Sequence, residues 1–432
     1  MNHLEIRPIR KLDAEFSVPG DKSISHRGIM LGGIAAGTTR LRGFLAGEDC
    51  LSTLHALQAL GCRIDRVSPD EVLIEGRGAK LLLPPAEPID CGNSGTTMRL
   101  LAGVVAGYPF TTRLFGDASL SRRPMARIAD PLRKFGANLI CEGPEDRPPL
   151  TIRGTPLKAI NFTSQVASAQ VKSCVLLAAL HATGKTTFTE PSLSRDHTER
   201  LLPAFGASFR TEKKSLILHG PQRLEGTELD VPGDFSSAAF WLVLAAGLPG
   251  SRLTLRKVGL NPTRTALISA LLRMGAGIME KVEQPTPEPL GTITVMGGER
   301  LKATPVAGKE IPNLIDEIPI LAVAAALAEG TTEIRDASEL RHKESDRLAV
   351  ITKNLRLFGV PVEEKPDGLL IEGGCPLVGA EVDSHGDHRI AMSAAILGLL
   401  AKGRTVVKNT ACIETSYPGF AKQITLIQEL SR

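Results

Sequence analysis

Aromatic residues are scarce in this chain, with 13 Phe, 2 Tyr and 1 Trp among 432 residues, too few for the stacking platforms on which single-stranded nucleic acids lie. Net charge is also small. The 51 Lys+Arg against 47 Asp+Glu give +4, spread evenly, which excludes the basic footprint of a nucleic-acid binder and leaves small anionic ligands open. The seven cysteines are odd in number, scattered from Cys50 to Cys412 and never spaced C-x-x-C, so neither a disulfide framework nor a zinc site is expected, and the compartment should be reducing. No run of about 18 uncharged apolar residues occurs. The first segment, MNHLEIRPIRKLDAEF, mixes acids and bases, so neither export nor membrane insertion is expected. These shortages point to a cytoplasmic protein with no nucleic-acid or membrane partner; a monomer is expected, although nothing in the composition fixes the oligomeric state. With 42% hydrophobic and 23% charged residues, the chain is neither disordered nor fibrous. At roughly 100–200 residues per domain, two domains are the expectation.

What is abundant is repetition. A small-residue apolar stretch ends in a glycine followed by a β-prone run at Gly37, Gly107, Gly184, Gly250, Gly330 and Gly403, at intervals of 66 to 80 residues. After five of these comes an amphipathic stretch ending at Gly61, Gly136, Gly206, Gly275 and Gly359. Each unit reads helix, strand, helix, strand, with both glycines as helix C-caps. The two helix types differ: Leu267, Ile268, Leu271, Leu272 and Met274 mark one face of a surface helix, whereas Ser236 to Gly247 is apolar almost all round and should be buried. A coarser repeat pairs VPGDKS at Val18 with VPGDFS at Val231. The halves therefore resemble duplicated domains of three units each.

The apolar helices open on polar sequence: GDKSISHR at Gly20, CGNSGTTMR at Cys91, SAQVKS at Ser168, GDFSS at Gly233, IDE at Ile315 and GDHR at Gly386. Ser, Asp and Asn suit helix N-caps. Capping leaves unexplained why Lys22, Arg27, Arg99, Lys172 and Arg389 lie in first or second turns, where cations oppose the helix dipole and call for a counter-anion. If the helices of a domain aim their N-termini at one cleft, it suits phosphate and carboxylate. Acid–base candidates are Asp316 and Glu317, before the uncharged PILAVAAALA, and Glu339, Lys343, Glu344 and Arg347 within RDASELRHKESDRL. Other motifs fail. TGKTT at Thr183 has Ala179 where a phosphate-binding loop needs glycine, His385 and His388 lack further metal ligands, and no GxGxxG follows a strand.

In this order PGDKSISHR, GNSGTTMR, RRPM, SAQVKS, RDHTER, NPTRT, DEIPILAVAAA, HKESDRL and DHRIAM resemble the 5-enolpyruvylshikimate-3-phosphate synthase family across the whole chain, and the set GDK, SAQxK, RxHxE and NxTR its second class. The resemblance implies an α/β fold, a two-domain inverse α/β barrel of six βαβαββ repeats, three per domain, closing on substrate. The domains would be 20–232, and 1–19 plus 233–432, with crossovers near Gly20 and residue 232. The implied reaction transfers the enolpyruvyl group of phosphoenolpyruvate to the 5-hydroxyl of shikimate 3-phosphate, releasing phosphate through a tetrahedral adduct, with no cofactor and no metal.

By resemblance Lys22, Asp316 and Glu344 move the protons. Lys22, Ser23, Arg27, Ser168, Ala169, Gln170, Arg195, Asp316 and Lys343 would meet shikimate 3-phosphate. Lys22, Asn93, Gly95, Arg99, Arg123, Gln170, Lys343, Arg347 and Arg389 would meet phosphoenolpyruvate. Two positions depart from the best-known form: His197 replaces a tyrosine, and Thr415 aligns with a lysine. Glyphosate, the family's inhibitor at the donor site, gives conflicting signals, because the second-class motifs suggest tolerance while Gly95 lacks the methyl that tolerant members often carry; the steric argument favours inhibition. The nearest rival is UDP-N-acetylglucosamine enolpyruvyl transferase, which usually carries a reactive cysteine in the loop matching GDASLSRRPM, and no cysteine lies between Cys91 and Cys141. A non-catalytic anion-binding module would not need Lys22, Asp316 and Glu344 together.

Overall fold

The computed structural model describes residues 2–78 and 82–431. The chain divides into Gly20–Val231 with Thr286–Glu288, and Met1–Pro19, Pro232–Pro285 and Pro289–Arg432; each unit holds its own apolar core. Residues 286–288, expected with the second domain, belong with the first. There Glu288 Oε1 lies 2.8 Å from His197 Nδ1, both side chains being buried.

The architecture is mixed α/β. In the first unit three sheets of the same plan carry the chain: a short strand parallel to the next, followed by an antiparallel pair. Ile89–Asp90 runs parallel to Thr111–Phe115, which pairs antiparallel with Arg147–Arg153 and through it with Asn138–Gly143. The sheet built on Asn161–Thr163 repeats this. In the first sheet, however, the short strand Glu228–Asp230 comes from the far end of the unit to lie beside Ala36–Arg42. The second unit mirrors this, for Asp13–Ser17 pairs with Arg252–Gly259. The duplicated VPGD segments thus lie where the chain leaves one unit for the other.

Six apolar helices form the inner layer: Lys22–Ile34, Gly95–Val105 and Ala169–Ala179 in the first unit, Phe235–Ala246, Ile318–Leu327 and His388–Leu400 in the second. All twelve residues of Phe235–Ala246 are buried, as an all-round apolar sequence requires. Small residues allow close approach: a Cβ on Gly103 would come within 2.3 Å of the Cys174 carbonyl oxygen on the neighbouring helix. In the surface helix Ala266–Arg273, Leu267, Ile268 and Leu271 are buried, but Leu272 is 48% exposed because it falls a quarter-turn off their face.

The two glycine series behave differently. At Gly61, Gly136, Gly206, Gly275 and Gly359 the glycine N–H and the next residue's N–H bond back into the last helical turn, as in Gly61 to Gln58 at 2.9 Å and Cys62 to Leu57 at 3.0 Å. This is the glycine C-cap motif the sequence predicts. The other series does not cap helices. Helix Lys22–Ile34 ends on Ala35, and Gly37 lies inside the following strand with φ +82°; Gly184 and Gly330 likewise begin strands.

Candidate active site

Five of the six polar helix openings are caps. Asp21, Ser94, Ser168, Asp234 and Asp387 each accept a hydrogen bond from a backbone N–H in the first turn of the helix they precede, satisfying donors that otherwise lack partners. Capping leaves the cation reading open, because the flagged cations of these helices lie just beyond the caps.

In the first unit Lys22, the first residue of its helix, lies 2.9 Å from Asp49 Oδ2. Asp49 was not singled out from sequence; it sits in AGEDC with no spacing to mark it. Arg27 is 4% exposed and held by neutral groups: Nε donates to Thr198 Oγ1 at 2.8 Å, Nη1 to the Ser23 carbonyl at 2.9 Å and Nη2 to Ser173 Oγ at 2.7 Å. Among the described residues it makes no ion pair. Burial lowers its pKa to about 10, against the attraction of Glu199, Asp21 and Glu288. Arg195 adds like charge nearby. A buried guanidinium without a paired carboxylate is poised for an external anion.

Gln170 and Asn93 orient two more cations. Arg99 Nη1 donates to Gln170 Oε1 at 2.6 Å, and Gln170 Nε2 to Thr96 Oγ1 at 3.0 Å. Arg123 Nη2 donates to Asn93 Oδ1 at 2.9 Å, while Asn93 Nδ2 donates to Asp117 Oδ2 at 2.7 Å. Gly95 begins its helix beneath both arginines. Ser168 caps the next helix and Ala169 starts it, the Ala169 carbonyl accepting from Ser173 Oγ at 2.6 Å.

Lys172 needs a correction. It was grouped with the cations awaiting an external anion, yet its Nζ lies 2.7 Å from Glu199 Oε1 and 3.0 Å from Glu190 Oε1 and donates to the Ser194 carbonyl at 3.1 Å. Its counter-anions are internal, so it belongs to a buried ion cluster. Burial raises the pKa of Glu199, and Lys172 opposes this. SAQxK and RxHxE are thereby joined through Lys172 and Glu199, and the departure at His197 is an imidazole turned to Glu288. Thr415 Oγ1 donates to the Cys412 carbonyl at 2.7 Å.

In the second unit one side chain organises the site. Arg347 is 1% exposed. Its Nε donates to Asp387 Oδ2 at 2.8 Å, its Nη2 to Glu344 Oε2 at 2.8 Å and its Nη1 to Asp316 Oδ1 at 3.4 Å. Burial pushes the Asp387 carboxyl up, but the Arg347 guanidinium outweighs it and holds the group below the usual range. Asp316 also faces Lys343 at 3.8 Å and Arg389 at 4.0 Å, so three cations surround its carboxylate. The charged RDASELRHKESDRL segment is therefore only partly solvated: Lys343 and Glu344 side chains are 25% and 19% exposed. Sequence reasoning named Arg389 in GDHR and passed over Asp387 beside it; its helix-capping position was the available signal.

Two proton-accepting carboxylates on opposite nitrogens of one guanidinium, with lysine and arginine at hand, can exchange protons with a bound anion. Burial pushes the thiol of Cys62 up to about 12 and those of Cys141 and Cys412 to about 11, which disfavours the thiolate at these three positions.

The sequence profile of EPSP synthase (3-phosphoshikimate 1-carboxyvinyltransferase) matches residues 6–424. The chain is 50% identical over 419 residues to the 3-phosphoshikimate 1-carboxyvinyltransferase of Desulforamulus reducens, covering 97% of both chains. It is 51% identical over 431 residues to that of Akkermansia muciniphila, covering 98% of this chain and 99% of the relative. The EPSP synthase of Acinetobacter baumannii superposes with TM-score 0.88 at 44% identity, covering 100% of this chain and 98% of that one. The enolpyruvyl transferase NikO of Streptomyces tendae shares the fold, with TM-score 0.81 at 17% identity over 99% and 97% of the two chains. The motifs, the repeated βαβαββ plan and these relatives agree, and the chain belongs to the EPSP synthase family.

Proposed function

We propose that this chain transfers the carboxyvinyl group of phosphoenolpyruvate to the 5-hydroxyl of shikimate 3-phosphate and releases phosphate, a step in aromatic amino-acid biosynthesis. Addition requires a proton on the methylene carbon of the donor and removal of one from the acceptor hydroxyl. Elimination of phosphate then reverses the flow at carbon. Lys22, Asp316 and Glu344 carry these transfers. Ser23, Arg27, Ser168, Ala169, Gln170 and Arg195, with Lys22, Asp316 and Lys343, hold shikimate 3-phosphate. Asn93, Gly95, Arg99, Arg123, Arg347 and Arg389, with Lys22, Gln170 and Lys343, receive phosphoenolpyruvate. No cofactor or metal enters this scheme.

The observation that carries the reading is the attachment of Asp316 and Glu344 to opposite nitrogens of Arg347, at 3.4 and 2.8 Å. It keeps two candidate bases near one charge that an anionic donor can share. The seven free cysteines fit a reducing cytoplasm, and we take the active form to be a monomer. A phosphate-release assay tests the function. Release should require phosphoenolpyruvate and shikimate 3-phosphate together; release with UDP-N-acetylglucosamine as acceptor, and none with shikimate 3-phosphate, would favour the related transferase.

A further inference from the structure

The Ile318–Leu327 helix begins unlike the other five inner helices. Glu317 occupies its N-cap but makes no capping bond, and the second helical residue is Pro319, which has no N–H to offer. The Glu317 carboxylate is wholly buried and turns to other helices. Ser236 Oγ donates to Glu317 Oε1, and Arg389 Nη1 lies 3.4 Å from the same oxygen. Ser236 Oγ also receives Arg264 Nη2 at 2.6 Å and Arg389 Nη2 at 3.3 Å. Guanidinium groups only donate, so the one hydroxyl proton of Ser236 must go to Glu317, which fixes the polarity of the cluster.

Arg389 is consequently pinned on one side. Its Nη1 also donates to the Asp316 carbonyl at 2.9 Å, so its protein contacts run to the 316–317 dipeptide or through Ser236. Its Nε makes no hydrogen bond to the described residues. Glu317 Oε2 likewise has no partner among them. A buried carboxylate with one idle oxygen is a poor choice for stability alone, since an apolar or amide side chain would fill the place with less desolvation. The arrangement makes sense if the charge is there to aim a cation.

We propose that Glu317, acting with Ser236, is a positioning residue for use of the anionic donor: it fixes the Arg389 guanidinium so that the edge unused by the protein meets phosphoenolpyruvate. This rests on the reading above in which Arg389 receives the donor. It also gives a place to Arg264 of the NPTR motif: Arg264 bridges Ser236 and Asp234, its Nη2 lying 3.2 Å from Asp234 Oδ1.

Steady-state kinetics with Glu317→Gln, Ser236→Ala, Arg389→Lys and the Glu317→Gln/Arg389→Lys double variant test this. Glu317→Gln should raise the KM for phosphoenolpyruvate about tenfold and leave that for shikimate 3-phosphate within about twofold. Ser236→Ala should act in the same direction and serves as the test if Glu317→Gln does not fold. The double variant should be no worse than Arg389→Lys, because both changes act on one guanidinium. An unchanged donor KM in a folded Glu317→Gln or Ser236→Ala variant, equal rises in both KM values, or multiplicative losses in the double variant would overturn the proposal. An unchanged donor KM in Arg389→Lys would overturn the assignment of Arg389 itself, and the inference with it.

Discussion

A single methyl group at Gly95 probes the donor-binding assignment without disturbing the fold. A Cβ there would stand 3.2 Å from Arg99 Nη1 and 3.2 Å from Arg123 Nη1, inside the 3.4 Å at which ordinary contact begins. Both atoms end flexible side chains, so the guanidinium groups give way by a few tenths of an ångström. The shift falls on bonds that orient them: Arg99 Nη1 to Gln170 Oε1 at 2.6 Å and Arg123 Nη2 to Asn93 Oδ1 at 2.9 Å. A hydrogen bond to a charged group contributes about 1.5–3 kcal/mol, so losing part of one costs on the order of 1 kcal/mol, or about fivefold in affinity. Stability should hold or rise slightly, because Gly95 begins a helix in ordinary backbone conformation and alanine is favoured there by up to about 1 kcal/mol. For Gly95→Ala we expect a donor KM raised about fivefold, an unchanged KM for shikimate 3-phosphate and a melting temperature unchanged or slightly raised. Glyphosate, longer than the donor, should lose more affinity, while the parent protein should be inhibited. Parallel shifts of both donor and inhibitor constants, no shift in either, or a parent that already resists glyphosate would refute the steric reasoning.

Other perturbations separate chemistry from scaffold. Asp316→Asn and Glu344→Gln keep shape and lose basicity, so single-turnover rates should fall about 10²–10⁴-fold with binding largely kept; full activity in either removes that residue from proton transfer. Lys172→Met strands Glu190 and Glu199 in the interior and should cost about 3–5 kcal/mol in urea unfolding; intact stability with a raised KM for shikimate 3-phosphate would return Lys172 to the binding site. Burial lowers the pKa of His181 from 6.5 to about 4. The folded state therefore resists protonation, and this contribution to stability is complete above pH 6.5 and lost as the pH falls to about 4. The melting temperature should drop between pH 7 and 5, and His181→Gln should flatten the drop; an equal slope in both would refute the assignment.

Much of the fold was legible because its signals are local. All-round apolar helices, side-chain caps and five glycine C-caps depend on residues within one turn of each other. The Gly37 series, positive in φ at every member but Gly107, does not end helices as its sequence suggests, because a positive φ at or just before a strand start and one at a helix end draw the same glycine. The site was less legible wherever charge neutralisation is distant. Nothing around Lys172 reveals that Glu190 and Glu199 will meet it, or that Asp49 will meet Lys22, and Glu288 joins the first unit from a tripeptide within the second half of the chain. Glu317 was read as an acid–base candidate beside Asp316, but only its burial against Ser236 and Arg389 distinguishes the two.

The exchanged short strands give the molecule an order in time. During synthesis Ala36–Arg42 lacks its parallel neighbour until Glu228–Asp230 has been made, and Asp13–Ser17 precedes by more than 200 residues the strand Arg252–Gly259 with which it pairs among the described residues. His3–Ile6 waits longer still, for Thr405–Lys408 near the end of the chain. Both opening strands are thus made well before the described strands they pair with, and exposed strand edges invite wrong pairing in that interval. Their alternation of polar or charged residues with apolar ones, as in HLEI and DAEFS, is the kind of sequence that keeps such strands soluble while they wait.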